Sequence, residues 1–135
     1  MSHKISDIEG IGPALSKTLA NAGVKTVESL LGEGATPAGR TEIARRSGLD
    51  EGRILKWVNM ADLYRVRGIG SEYAELLEAS GVDTVKELRT RNADSLYRKI
   101  LDVNTQRSLV RKTPSLKQVR KFIAEAGTLS PMVTY

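Results

Sequence analysis

Residues 8–31, IEGIGPALSKTLANAGVKTVESLL, return at 66–89 as VRGIGSEYAELLEASGVDTVKELR. At an offset of 58, Gly10, Ile11 and Gly12 fall on Gly68, Ile69 and Gly70, and Leu19 falls on Leu77. Gly23, Val24, Thr26, Val27 and Leu30 fall in the same register on Gly81, Val82, Thr84, Val85 and Leu88. A copy this short cannot enclose much of a core alone. The repeat therefore predicts two similar helical units packed on each other as a pseudo-symmetric pair. A looser echo, KWVNMA at 56–61 against KFIAEA at 121–126, ends each copy in an aromatic-bearing helix if the second has a longer connection around RKTPSLKQV.

The local pattern is helical throughout, and no strand period stands out. Pro13 suits a first helical position, and Leu15, Thr18, Leu19 and Ala22 follow the helical stripe behind it. Gly23 reads as a left-handed stop, after which Val24 can pack back and Thr26 can cap VESLL. In the second copy, Thr84 and Glu87 have the spacing of a reciprocal capping box, a stronger signal than the first copy shows. Further helices are expected over 40–47, 50–66, 93–101, 105–112 and 116–126, with 32–39 as a loop and GTLSPMVTY as a loose or docking tail. The expected organisation is a first unit over 1–63, a second over 64–128 and a tail over 129–135. The fold class is all-α, without a sheet.

Composition narrows the chemistry. Cysteine is absent and His3 is the single histidine, so thiol catalysis, disulfides and zinc sites are not expected. No stretch approaches the roughly 18 apolar residues of a membrane span, and the first residues lack the apolar core of a signal peptide, so a cytoplasmic, non-membrane protein is expected. The net charge of +5 is unevenly placed. Residues 1–63 carry eight basic and eight acidic side chains, whereas 64–135 carry thirteen basic and eight acidic. Arg89 to Lys121 alone hold ten basic and two acidic residues, a net of +8. If they share a face, Arg98, Lys99, Arg107, Arg111, Lys112, Lys117, Arg120 and Lys121, joined by Arg65 and Arg67, form an anion-attracting surface. The other reading is a set of solvated helix faces pointing apart.

A short helix, an apolar-x-Gly-Ile-Gly step and a second helix with an apolar stripe resemble the helix-hairpin-helix motif of DNA glycosylases, ligases, polymerases and junction-processing proteins. DIEGIGPALSKTLANAGV matches that motif over its full length. The resemblance implies that the hairpin amides bind a DNA phosphate without reading sequence. On this chain that places the contact at Gly10, Ile11, Gly12, Ala14 and Lys17. It implies no cofactor beyond a monovalent cation that hairpin carbonyls can hold. Glycine allows close backbone approach, and a helix N-terminus supplies the positive end of its dipole. The segment WVNMADLYRVRGIGSEYAELLEASGVDTVKELRTRN extends the resemblance over nearly the whole chain, to an uncharacterised bacterial family with two such units in tandem.

The second hairpin, Gly68, Ile69 and Gly70, is expected to do a different job. Arg65 and Arg67 precede it, but Glu72 and Glu75 replace Ala14 and Lys17 and would repel a phosphate. Either hairpin can instead be a tight interhelical turn or a protein contact. Ala44, Gly48 and Ile54 also have a helix-turn-helix spacing, with Glu51, Arg53 and Lys56 on the would-be reading helix. The same residues serve equally as an ordinary helix crossing, and Trp57 reads as core. Neither hairpin is followed by a glycosylase-like catalytic segment, and the carboxylates are not clustered for two-metal nuclease chemistry, so no enzymatic activity is expected. The expected function is a DNA-binding accessory or architectural module without sequence preference. The alternative is an adaptor whose hairpins and tail dock a partner protein.

Overall fold

A computed structural model of the chain describes residues 3–135. The protein is all-α: eight α-helices and one 3-10 turn, Ile5–Asp7, with no strand among the described residues beyond an isolated bridge between Lys4 and Thr26. Two compact units divide it. The first runs to Asp62 and includes Met132–Tyr135; the second is Leu63–Pro131.

The first unit contains α1 (Pro13–Asn21), α2 (Val27–Gly34), α3 (Pro37–Ser47) and most of α4 (Glu51–Leu63). Helix α1 ends where Gly23 takes φ 91°. The amide of Val24 donates to Leu19 O at 2.8 Å and that of Gly23 to Ala20 O at 3.0 Å, the paired bonds of a Schellman turn. This turn buries Val24 completely and aims the chain into α2, where Thr26 and Ser29 cap each other reciprocally. Helices α2 and α3 pack closely across Gly34 and Gly39, and the buried Ile43, Ile54 and Val58 fill the space beside them.

The second unit contains α5 (Ser71–Ala79), α6 (Val85–Leu88), α7 (Ala93–Arg107) and α8 (Leu116–Ala126). Its first helix closes in the same way. Gly81 has φ 91°, and Val82 N–H donates to Leu77 O at 2.9 Å. Helix α8 lies on α6 and α7, burying Val119, Phe122 and Ala126. An arginine caps the C-terminal end of the hairpin helix in each unit, but from positions unrelated by the 58-residue register. Arg46 Nη1 donates to Ala22 O at 3.0 Å, and Arg91 Nη2 donates to Gly81 O at 2.6 Å.

Four local expectations need correction. Residues 32–39 are not a loop, since α2 runs to Gly34 and Thr36 caps α3 from only two residues further on. Helix α4 stops at Leu63 rather than 66, because the chain must turn into the second hairpin. Residues 105–112 form no separate helix. Instead α7 continues to Arg107 and ends at Ser108 with φ 51°. The Asn104 side chain then acts as a surrogate strand, accepting from Val110 N–H at 2.9 Å and donating to Val110 O at 3.0 Å. The reciprocal capping box belongs to the first copy: Thr84 accepts from Glu87 N–H, but the Glu87 carboxylate pairs with Arg91 instead.

The segment read as a tail returns to the first unit in its last four residues. Thr134 N–H donates to Ala35 O at 2.8 Å, and the Tyr135 hydroxyl donates to Asn59 Oδ1 at 3.2 Å. Arg40, only 5% exposed, ties this together by donating to Gly34 O and Thr134 O, with its guanidinium 6.0 Å from the Tyr135 ring centre. Arg40→Ala strands two carbonyls that a charged donor had satisfied, a loss of about 1.5–3 kcal/mol per bond. It is expected to release Met132–Tyr135. Carboxypeptidase digestion followed by mass spectrometry checks this: the variant should lose these residues well before the wild type.

At the other end, Glu28 accepts from the His3 backbone N–H at 2.8 Å and lies 2.9 Å from His3 Nδ1. Burial pushes the Glu28 carboxyl upward, but the His3 side-chain and backbone hydrogen bonds outweigh it, and the net shift is below the ordinary value of 4.5. A depressed carboxyl contributes stability in full above that ordinary value and loses it as pH falls through the folded one. The His3–Glu28 clamp is therefore expected to open only as pH falls below the ordinary carboxylate range. Protection of the Val27 amide, which donates to His3 O at 3.0 Å, should fall there in wild type relative to its intrinsic exchange rate, and should change less with pH in Glu28→Gln.

Candidate functional site

Both Gly-Ile-Gly steps make the same local turn. Ile11 N–H donates to Ile8 O, and Ile69 N–H to Val66 O, each at 3.1 Å. Gly10 and Gly68 have φ 92° and 93°, values an L side chain adopts only with strain. Ile11 and Ile69 point inward and are buried, anchoring each turn, while the flanking glycines stay exposed. A Cβ built on Gly10 would lie 3.8 Å from Trp57 Nε1, and one on Gly68 would lie 3.1 Å from Phe122 Cε1. Trp57 and Phe122 thus take matching places under their hairpins, which gives the loose echo KWVNMA/KFIAEA its physical meaning.

The helices that follow these turns share a second property. Asp50, Thr26, Thr36, Thr84, Asn92 and Ser115 each cap a helix with a side-chain oxygen. The two remaining α-helices, α1 and α5, begin at Gly12 and Gly70 with no side-chain cap. Their first-turn amides are the donors that an anion can satisfy.

From there the units diverge. In the first, Gly12, Pro13, Ala14 and Lys17 are all exposed, and no acidic residue lies in the first turn of α1. Glu9, also exposed, is the acidic neighbour of that turn. In the second, Glu72 lies in the first turn of α5, and Glu75 is half-buried and engaged within the protein. Glu125 Oε2 accepts from the Arg67 backbone N–H at 3.1 Å, so one amide of this hairpin already holds a carboxylate. Sequence reasoning missed Glu125. The signal was present, because the echo places it opposite Met60, an acid against an apolar residue. Beside α5, Gly70, Ser71, Glu72 and Tyr73 line an open hollow of about 370 Å³. The Tyr73 hydroxyl donates to Lys112 O at 3.0 Å, and its ring tilts against Phe122.

The basic residues are distributed over several elements of the second unit. Arg98 and Lys99 lie on the outer side of α7 and line an open cleft of about 570 Å³ with Asp102, while Arg107 is in the last turn. Arg111 and Lys112 are exposed in the connection between α7 and α8. Lys117, Arg120 and Lys121 are exposed on α8, with Arg120 3.7 Å from Asp94 at the start of α7. Arg67 is exposed, whereas Arg65 is half-buried and has partners within the protein. Arg120 thus lies beside an acid rather than beside Arg98 or Lys99, and Arg65 is engaged within the protein.

Helix α4 is buried from Trp57 to Leu63, leaving Glu51, Gly52, Arg53 and Lys56 outward. Among the described residues no three His, Asp or Glu side chains group as metal ligands, and no helix is long and apolar enough to cross a membrane.

These features define an all-α protein with two glycine turns, each opening an uncapped helix. The chain belongs to the family described as domain of unknown function DUF4332, whose model matches residues 9–129. No solved structure matches the chain.

Proposed function

We propose that the protein binds DNA through the phosphate backbone, without reading sequence, as an accessory or architectural module of tandem helix-hairpin-helix units. The observation that carries this reading is the selective absence of side-chain caps on α1 and α5, the helices that follow Gly-Ile-Gly. The first hairpin is the phosphate contact: its glycines admit close approach, the α1 amides and dipole attract the anion, and exposed Lys17 adds charge. The basic side chains of α7, α8 and their connection supply nonspecific attraction. No chemical step is assigned to the protein. The second hairpin, with Glu72 and the bound Glu125 carboxylate, has an architectural or protein-contacting role. The hollow at Gly70–Tyr73 favours the adaptor as the second reading, since a partner's side chain can enter it.

Binding of labelled duplex, single-stranded and branched DNA over a salt series tests the proposal. A phosphate-binding module gives measurable affinity near 0.15 M salt and a linear fall of log affinity with log salt. An adaptor gives weak binding, indifferent to DNA structure, that vanishes by physiological salt.

A further inference from the structure

We propose that Arg53, held on the face of Trp57 beside the first glycine turn, is the second cation of that hairpin's phosphate contact. The inference rests on the DNA-binding reading above and adds a residue that reading does not contain. The first unit has four arginines. Arg40 is buried against carbonyls, Arg45 pairs with Glu42, and Arg46 bonds Ala22 O and both Glu33 and Glu42. Arg53 differs. Its backbone N–H donates to the capping Asp50 carboxylate, but among the described residues its exposed guanidinium meets only a ring, with Cζ 5.1 Å from the centre of the Trp57 ring.

Stacking fixes the plane of a guanidinium while leaving the N–H groups at its edge able to donate in pairs to a phosphate. The platform is itself fixed, because Trp57 is 4% exposed and its Nε1 edge lies under Gly10. One indole therefore separates the cation from the turn, a span on the order of one Debye length at 0.1 M salt. Duplex DNA carries a charge every ~1.7 Å of axis, so a phosphate seated on the hairpin brings a neighbour within reach of Arg53. The second unit lacks this device. Phe122 replaces the indole, and the echo places Gln118 at the position of Arg53, where its side chain accepts from Ser115 N–H in a capping box. The same half of the molecule that lacks the cation also carries Glu125 on its hairpin.

Trp57 is the only tryptophan, so its emission reports on this one place. The test titrates the full chain with an unlabelled 20-base-pair duplex while following Trp57 emission, in parallel with anisotropy of a labelled duplex over a salt series. Arg53→Ala and Arg53→Lys are compared with Lys17→Glu and with Arg45→Ala as a surface control. The expected result is a Trp57 emission change on binding in wild type. Arg53→Ala should bind roughly tenfold more weakly, with a salt slope smaller by about one. Arg53→Lys, which keeps charge but loses the planar fork, should fall between, and Arg45→Ala should match wild type. Arg53→Ala within twofold of wild type, while Lys17→Glu loses binding, overturns this inference and leaves the DNA-binding reading standing. Absence of binding by the wild type overturns both.

Discussion

Alanine at position 39 is expected to be the most destabilising glycine-to-alanine substitution in the first unit. A Cβ there would stand 1.8 Å from the carbonyl oxygen of Glu33 and 3.0 Å from its carbon. The obstacle is backbone, in the last turn of α2, and the two residues between α2 and α3 give neither helix room to slide. Overpacking a tight site costs typically 1–3 kcal/mol, and a backbone clash belongs at or above the upper end, about 3 kcal/mol. Gly34→Ala should cost less, because its Cβ meets a side-chain atom, Val58 Cγ2 at 2.6 Å, and not backbone. Gly12→Ala, with nothing within 4 Å, should be close to neutral. Urea unfolding followed by Trp57 emission ranks the three variants against wild type. A Gly39→Ala midpoint equal to that of Gly12→Ala would refute the account of this crossing.

Charge reversal at the first hairpin is expected to have the largest effect on DNA affinity. Lys17→Glu removes an exposed cation and sets a carboxylate where the second copy has Glu75. Each interaction is of order 1 kcal/mol at such distances in water, so the two together predict a loss of tenfold or more. Glu75→Lys should gain affinity less than Lys17→Glu loses it, because Glu125 still occupies the Arg67 amide. The pair Arg111→Glu and Lys112→Glu should weaken binding alike on all sequences and flatten its salt dependence. Anisotropy over a salt series, with circular dichroism as the folding control, measures all of these. If Lys17→Glu is silent while Arg67→Glu abolishes binding, the roles of the hairpins are reversed. If every reversal is silent, the adaptor reading replaces DNA binding.

The repeated glycines made the two turns and the helix stops legible, because a positive φ at Gly10, Gly23, Gly68 and Gly81 is a local demand that residue type reveals. Cap residues marked helix starts for the same reason. What stayed hidden depended on distant partners. Nothing near Arg46 or Arg91 announces that each will close a helix end, and they do so from unrelated positions. Glycine and proline in 32–39 suggested a loop, yet Gly34 and Gly39 serve the close approach of two helices rather than a bend. Glu87 had the spacing of a cap box but found Arg91 instead. At the candidate site, Lys17 and Glu72 followed from the repeat register. Glu125 and Arg53 acquire meaning only from what α8 and Trp57 place beside the hairpins.

The return of Met132–Tyr135 to the first unit has a consequence for biosynthesis. On the ribosome, residues 3–62 emerge long before the strap that completes them, and the whole second unit is translated in between. Until Thr134 appears, the Arg40 guanidinium lacks the carbonyl that the finished protein gives it, and Ala35 O lacks its amide donor. The first unit therefore cannot complete its contacts until the distant segment Met132–Tyr135 has been made, however early residues 3–62 emerge.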